Sequence, residues 1–162
     1  MRLLHVMLLS IIIITSHAQK TNSDDVTLVR KTMDSYIKAI ERLDTTGTGK
    51  LFVSKSVVIE SGSIEGTFQH YLAHHLAPEL DEFKSFKFSD YKIDVTVDLP
   101  YAFATESYQY TITVKKDNSV AERKGVASSI LKKEKGIWKI VQTHTSSRKP
   151  WILISNTDTR NY

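Results

Sequence analysis

Three features of the sequence predict an α+β domain. A long amphipathic helix comes first, a short histidine-rich helical segment follows it, and four consecutive segments of alternating character fill most of the rest. Helices followed by a run of strands pack as helices on one face of an antiparallel sheet. The 162 residues suffice for one such core, and 41% hydrophobic with 25% charged residues is the composition of an ordinary globular domain.

Residues 1–18 are set apart from the fold as an export signal. Arg2 supplies the positive start, Leu3 to Ile14 is an apolar run broken by His5 and Ser10, and Ser16-His17-Ala18 has the small residues of a cleavage site before Gln19. The run is shorter than the roughly 20 residues a spanning helix needs, so no stable membrane anchor is expected. The mature protein is placed in the periplasm or secreted. It has no cysteine, so its stability rests on the core rather than on disulfides, and a metal site would draw on His and carboxylates. The net charge of +4 comes from scattered lysines and arginines without a basic stripe interleaved with aromatics, which argues against nucleic acid as a partner.

The domain proper covers 19–149. Residues 24–43 form the first helix: Val26, Val29, Met33, Tyr36, Ile37, Ile40 and Leu43 recur at three- and four-residue steps, and Asp24-Asp25 suit a first turn. A turn-rich stretch from Asp44 to Gly49 stops it. Val57 to Glu60 is a short strand, Gly62 and Gly66 bracket a tight turn, and Thr67 caps a second helix running to about Leu76, with Pro78 at its end. Segments 86–98, 101–115, 121–134 and 137–149 then alternate with period two, separated at Leu99-Pro100, Lys116 to Ser119 and Lys135-Gly136. Residues 150–162 are a tail in which Trp151 to Ile154 need cover, from an open end of the domain, an edge strand or a second copy.

This order, ending in Gly136-Ile137-Trp138-Lys139-Ile140-Val141, resembles the nuclear transport factor 2-like superfamily in its SnoaL-like, ketosteroid-isomerase-like branch. The resemblance covers about 24–149. It implies a cone: a curved antiparallel sheet wrapped around the long N-terminal helix, with a pocket at the open end and a homodimer formed through the convex face. It also matches Tyr36 to the isomerase's helical tyrosine. The isomerase's base falls at Ser61, with Glu60 one residue off and expected on the opposite side of the strand, and the second acid falls near Ser128. Serine cannot serve as a carboxylate base at neutral pH, so the frame is kept and the isomerase's acids are not.

Candidate chemistry lies in the histidines and one buried acid. His70 and His74 stand one helical turn apart, a spacing that lets two imidazoles share a metal, while His75 points about 100° away. Alternation places Trp138, Ile140, Gln142, His144, Ser146 and Arg148 on one face of the last strand, and Glu106 with Tyr108 on the apolar face of segment 101–115. Converging in the cone, His70, His74, Glu106 and His144 would be ligands for a divalent metal (zinc, iron, copper or nickel), and Tyr36, Tyr108, Trp138, Gln142 and Arg148 would bind a small molecule. The bland alternative has the helical histidines half exposed at the cone's mouth and Glu106 paired to Arg148 or a His. The expected function is a pocket protein binding a small molecule or metal. The alternatives are a lyase, isomerase or cyclase using the same His, Glu and Tyr residues, and a non-catalytic dimeric assembly module.

Overall fold

The computed structural model describes residues 15–150, with side chains from 23 onward, so most of the expected export segment and nearly all of the tail lie outside the described residues. Helix α1 (Thr15–Glu41) begins earlier than the apolar repeat suggests. It buries Val29, Met33 and Ala39 against the sheet. It ends with Leu43 in the left-handed region, φ 54, while Leu43 N–H donates to the Ile40 carbonyl and Asp44 N–H to that of Ala39. These two bonds satisfy carbonyls that a helix end otherwise leaves unpaired. No described helix is long and apolar enough to cross a membrane.

Strands β1 (Phe52–Glu60) and β2 (Ser63–Gly66) form a hairpin where the sequence suggested a strand and a turn. The expected second helix is a continuous helical run with a wide turn inside it. Helix α2 (Phe68–Tyr71) passes through a π-helical stretch (Leu72–Leu76) into α3 (Ala77–Glu82). Pro78 has no N–H to offer the carbonyl four residues before it. The wider turn, with Ala77 N–H bonded to the Leu72 carbonyl, comes immediately before that proline. Thr67 caps the run by accepting from His70 N–H, as its position predicts.

Strands β3 (Phe83–Asp98), β4 (Tyr101–Val114), β5 (Val120–Glu134) and β6 (Ile137–Arg148) are the four alternating segments. With β1 and β2 they make one six-stranded sheet in the order β2-β1-β6-β5-β4-β3, in which β1 runs parallel to β6 and the other pairs are antiparallel. The sheet curves around α1. Two bulges interrupt its alternation. In β3, Asp90 (φ 52) and Tyr91 together oppose Tyr108 between the Ser89–Gln109 and Lys92–Ser107 pairs, one residue more than the alternation allows. In β6, Val141 is extra, because Leu131 pairs with Ile140 and Ile130 with Gln142. A bulge moves every later side chain to the other face of the sheet.

At one end of the helix the chain is closed by a buried acid. Asp25 is 1% exposed, and its Oδ1 accepts from Lys133 Nζ at 2.6 Å and from Trp138 Nε1 at 3.0 Å. Asp25 therefore ties α1 to the β5–β6 hairpin and is not a first-turn charge. At the centre, Phe52 and Phe68 stack at 3.6 Å, with Tyr36 edge-on to both. A cavity opens beyond these rings.

Candidate functional site

The cavity, about 140 Å³, lies between α1, the helical run and the inner face of the sheet. That is room for a ligand of about ten non-hydrogen atoms. Met33, Ile37 and Ile40 of α1 form one wall, and Phe83, Phe86, Phe88, Tyr108 and Tyr110 form an aromatic wall on β3 and β4. The rings brace one another: Phe86 stacks on Tyr110 at 5.1 Å and Phe88 meets Tyr108 edge-on at 5.1 Å.

Two glutamates reach into this space from different strands, each held by a tyrosine. Glu106 on β4 is 2% exposed, and Tyr91 Oη donates to its Oε1 at 2.6 Å. Its other oxygen has no hydrogen-bond partner among the described residues. Burial pushes the Glu106 carboxyl above the usual carboxylate range, against the pull of the Tyr91 bond. Glu60, at the end of β1, accepts from Tyr71 Oη at 2.9 Å. Tyr36 and Tyr108 line the same cavity. Burial, and then the charges of Glu60 and Glu106, raise both phenols well above the ordinary value, so both stay protonated hydrogen-bond donors.

Outside the Glu60 wall lies a second polar cluster. His75 Nε2 is 3.1 Å from Glu79 Oε1 and 3.8 Å from Glu60 Oε2, and its Nδ1 is 3.4 Å from Glu65 Oε2. Burial pulls the imidazole down, but the bond to Glu65 and the charges of Glu79 and Glu60 outweigh it and hold His75 above its ordinary value. Glu79, which also lines the cavity, is raised by burial despite the His75 contact.

The expected four-ligand metal set is not assembled. His70 and His74 do lie together, rings 4.6 Å apart, but both are exposed on the outside of the helical run, where His70 Nδ1 meets the Glu65 carbonyl. Glu106 is inside the cavity. His144 is exposed on the outer face of the sheet, because the Val141 bulge reverses the phase of β6 and turns Thr143 inward, where its hydroxyl accepts from Ser129. Among the described residues no group of three or more His, Cys, Asp or Glu is placed to hold a metal ion.

The same bulge removes Gln142 from the cavity, since it pairs with outward-facing Ile130. Trp138 lies before the bulge and does point inward, but into the closed end on Asp25 and not into the cavity. Arg148 is exposed at the end of β6 and does not line the cavity. Tyr36, Tyr108 and Glu106 do line it. The expectation for Glu60 is corrected: it lines the cavity beside Ser61, whose φ of 48 ends the strand. Ser128 pairs with His144 on the outer face, and Ala127 takes the inner position.

Several residues of the site escaped the sequence reading. Tyr91 turns inward only because of the β3 bulge. Its signal was present as a change of parity, from Phe86 and Phe88 to Ile93, Val95 and Val97. The link between His75 and Glu79 was readable as an i, i+4 pair.

Gly125 on β5 explains how Tyr108 reaches its place. A Cβ at Gly125 would sit 2.3 Å from Tyr108 Cε2, so the ring lies directly over the glycine on the neighbouring strand. Gly125→Ala is expected to push the ring into the cavity and cost roughly 1 kcal/mol. Changed Tyr108 ring resonances together with a lowered denaturation midpoint would bear this out; an unchanged spectrum would contradict it.

The SnoaL-like domain family matches residues 29–150. Solved structures with the same fold include a protein named as a dehydratase of the nuclear transport factor 2-like family from Streptomyces avermitilis. It is 16% identical, with a TM-score of 0.69 over 79% of this chain and 99% of that one. A protein named as a scytalone dehydratase from Novosphingobium aromaticivorans is 17% identical, with a TM-score of 0.68 over 89% and 99% of the two chains. A ketosteroid isomerase-like protein from Erwinia carotovora atroseptica is 20% identical, with a TM-score of 0.65 over 78% and 98%. No curated protein matches. The match over 29–150, on a cone of curved sheet around one long helix, places the chain in the SnoaL-like family.

Proposed function

We propose that this protein binds a small organic molecule in the cavity between α1 and the sheet. The observation that carries the reading is the pair of glutamates, Glu60 and Glu106, each fixed by a tyrosine and both lining a cavity with an aromatic wall. An assembly module with an inert cone would have no reason to keep a buried acid there, because an unpaired buried carboxylate costs stability. A leader ending near Ala18 fits the same reading by placing the binder outside the cytoplasm.

A second reading has a specific observation behind it. Glu106 is raised by burial and lies across the cavity from a second carboxylate, an arrangement that suits proton transfer to and from a bound molecule. In that reading Glu106 gives a proton, Glu60 takes one, and Tyr36 and Tyr108 donate to an oxygen on the substrate. A lyase or isomerase reaction needs no more than this, and the relatives named as dehydratases and isomerase-like proteins are compatible with it. A homodimer through the convex face would cover Phe103 and Val126, which are 47% and 50% exposed there.

The test of the binding reading is a screen of single-ring fragments by methyl NMR on the full mature chain. Fragments that move the Met33 and Ala127 methyl signals, and that no longer move the Met33 signal when Ala127→Leu fills the cavity, are the expected result. Shifts confined to the protein's outer surface, or none at millimolar fragment, would sink the pocket reading.

A further inference from the structure

The charge of the cavity wall is opposite to that of the protein as a whole. The chain carries a formal net charge of +4, yet among the described residues the cavity lining includes Glu60, Glu79 and Glu106 and not one Lys, Arg or His. The nearest described cation that these acids engage is His75, outside the lining, and it is shared among Glu60, Glu65 and Glu79. One imidazolium cannot balance three carboxylates, and it makes no contact with Glu106. Among the described residues Glu106 has only the Tyr91 hydroxyl as a partner, through one oxygen, and its side chain is almost wholly buried.

Beside this acid stands the aromatic wall of Phe86, Phe88, Tyr108 and Tyr110. Ring faces carry negative electrostatic potential and attract cations, an effect that grows when water is excluded. A carboxylate oxygen without a donor and an aromatic wall call for the same thing: a positively charged group that can also donate hydrogen bonds. A ligand anion would find hydroxyl donors, from the tyrosines and from Ser and Thr residues of the lining, but no cation among the described lining residues to offset the carboxylates.

We infer that the cavity selects an organic cation, a protonated amine carried on a compact apolar or aromatic body, with the ammonium at Glu106 and the body against the aromatic wall. This rests on the pocket reading above and deepens it by naming the class of ligand. The cavity's room for about ten non-hydrogen atoms sets the scale to a single ring with a short amine arm. Burial lifts the Glu106 carboxyl in the empty site, and an ammonium beside it would bring it back down.

The experiment compares three probes of nearly equal size by calorimetry at neutral pH: 2-phenylethylammonium, 2-phenylethanol and phenylacetate. The ammonium is expected to bind about tenfold or more tighter than the alcohol, and phenylacetate not measurably. In Glu106→Gln the ammonium is expected to lose about tenfold in affinity while the alcohol keeps its own. Alcohol binding as tight as ammonium overturns the charge preference and leaves the pocket reading standing. So does a lack of binding by all three probes when the fragment screen finds other occupants of the cavity. If the fragment screen also fails, both readings fall together. An equal loss for ammonium and alcohol in Glu106→Gln would show damage to the cavity instead of loss of a counter-charge, and would also overturn the assignment.

Discussion

Replacing Asp25 with alanine is expected to cost about 3 kcal/mol at neutral pH, although Asp25 lies far from the cavity in the fold. The carboxylate is buried, and both of its hydrogen bonds, from Lys133 and Trp138, arrive at the same oxygen; the other has no partner. Removing it strands the buried Trp138 N–H and leaves the Lys133 ammonium, whose side chain is 27% exposed, without its counter-charge. Because Lys133 can turn toward water, the expected loss sits at the low end of the range for breaking a buried pair. Burial alone would raise the Asp25 carboxyl, but the bonds from Lys133 and Trp138 outweigh it and hold the group below its ordinary value. A depressed folded-state value means that the stabilisation is complete above the unfolded value near 3.8 and is lost as pH falls through the lower folded value. Urea denaturation of the parent and Asp25→Ala should therefore differ most at pH 7 and converge in strong acid. Asp25→Asn, which keeps an acceptor for Trp138, should fall between them. Equal midpoints at pH 7 would contradict this account of how the helix is tied down.

Glu106 should behave with the opposite sign. Glu106→Gln is expected to stabilise the protein by about 1–2 kcal/mol at pH 7, since the amide oxygen still accepts from Tyr91 while the buried charge is gone. Here burial raises the folded-state value above the unfolded one. A raised carboxyl favours folding most below the unfolded value, and stability drops as pH rises through the folded value. The gain from the substitution should therefore grow as pH rises through the folded value and vanish in acid. A buried acid that weakens the fold that holds it is the mark of a residue kept for the site and not for the core. Thermal unfolding of the two proteins at pH 7 and in acid would reveal the pattern; a destabilised Glu106→Gln at pH 7 would make Glu106 a structural residue instead.

The contrast between these two acids shows what the sequence could carry. The order of elements, the apolar face of α1 and the four long strands were legible because hydrophobic periodicity encodes them directly. Glu106 and Tyr108 were legible for the same reason, since β4 keeps its alternation unbroken through the site. Where a bulge reset the phase, the reading failed. His144 and Gln142 were placed inside by counting in twos past Val141, and the polar residues that follow gave no apolar marker of the change. In β3 the marker existed, in the parity of Phe86 and Phe88 against Ile93 and Val95, and it accounts for Tyr91. Asp25 read as a helix-start charge because nothing local reveals contacts with residues more than a hundred positions away. The parallel pairing of β1 with β6 is equally non-local, and it forms the strand surface from which Glu60 reaches the cavity.

The most direct test of the account is the pH titration of the Glu106 carboxyl carbon by NMR in the chain from residue 19 onward, with and without 2-phenylethylammonium. The account predicts a midpoint above the usual carboxylate range in the free protein, because burial in the cavity wall disfavours the charge, and a lower midpoint once the ammonium is bound. A midpoint in the ordinary range, unmoved by the ammonium, would contradict the central claim that Glu106 is a buried acid facing the ligand site.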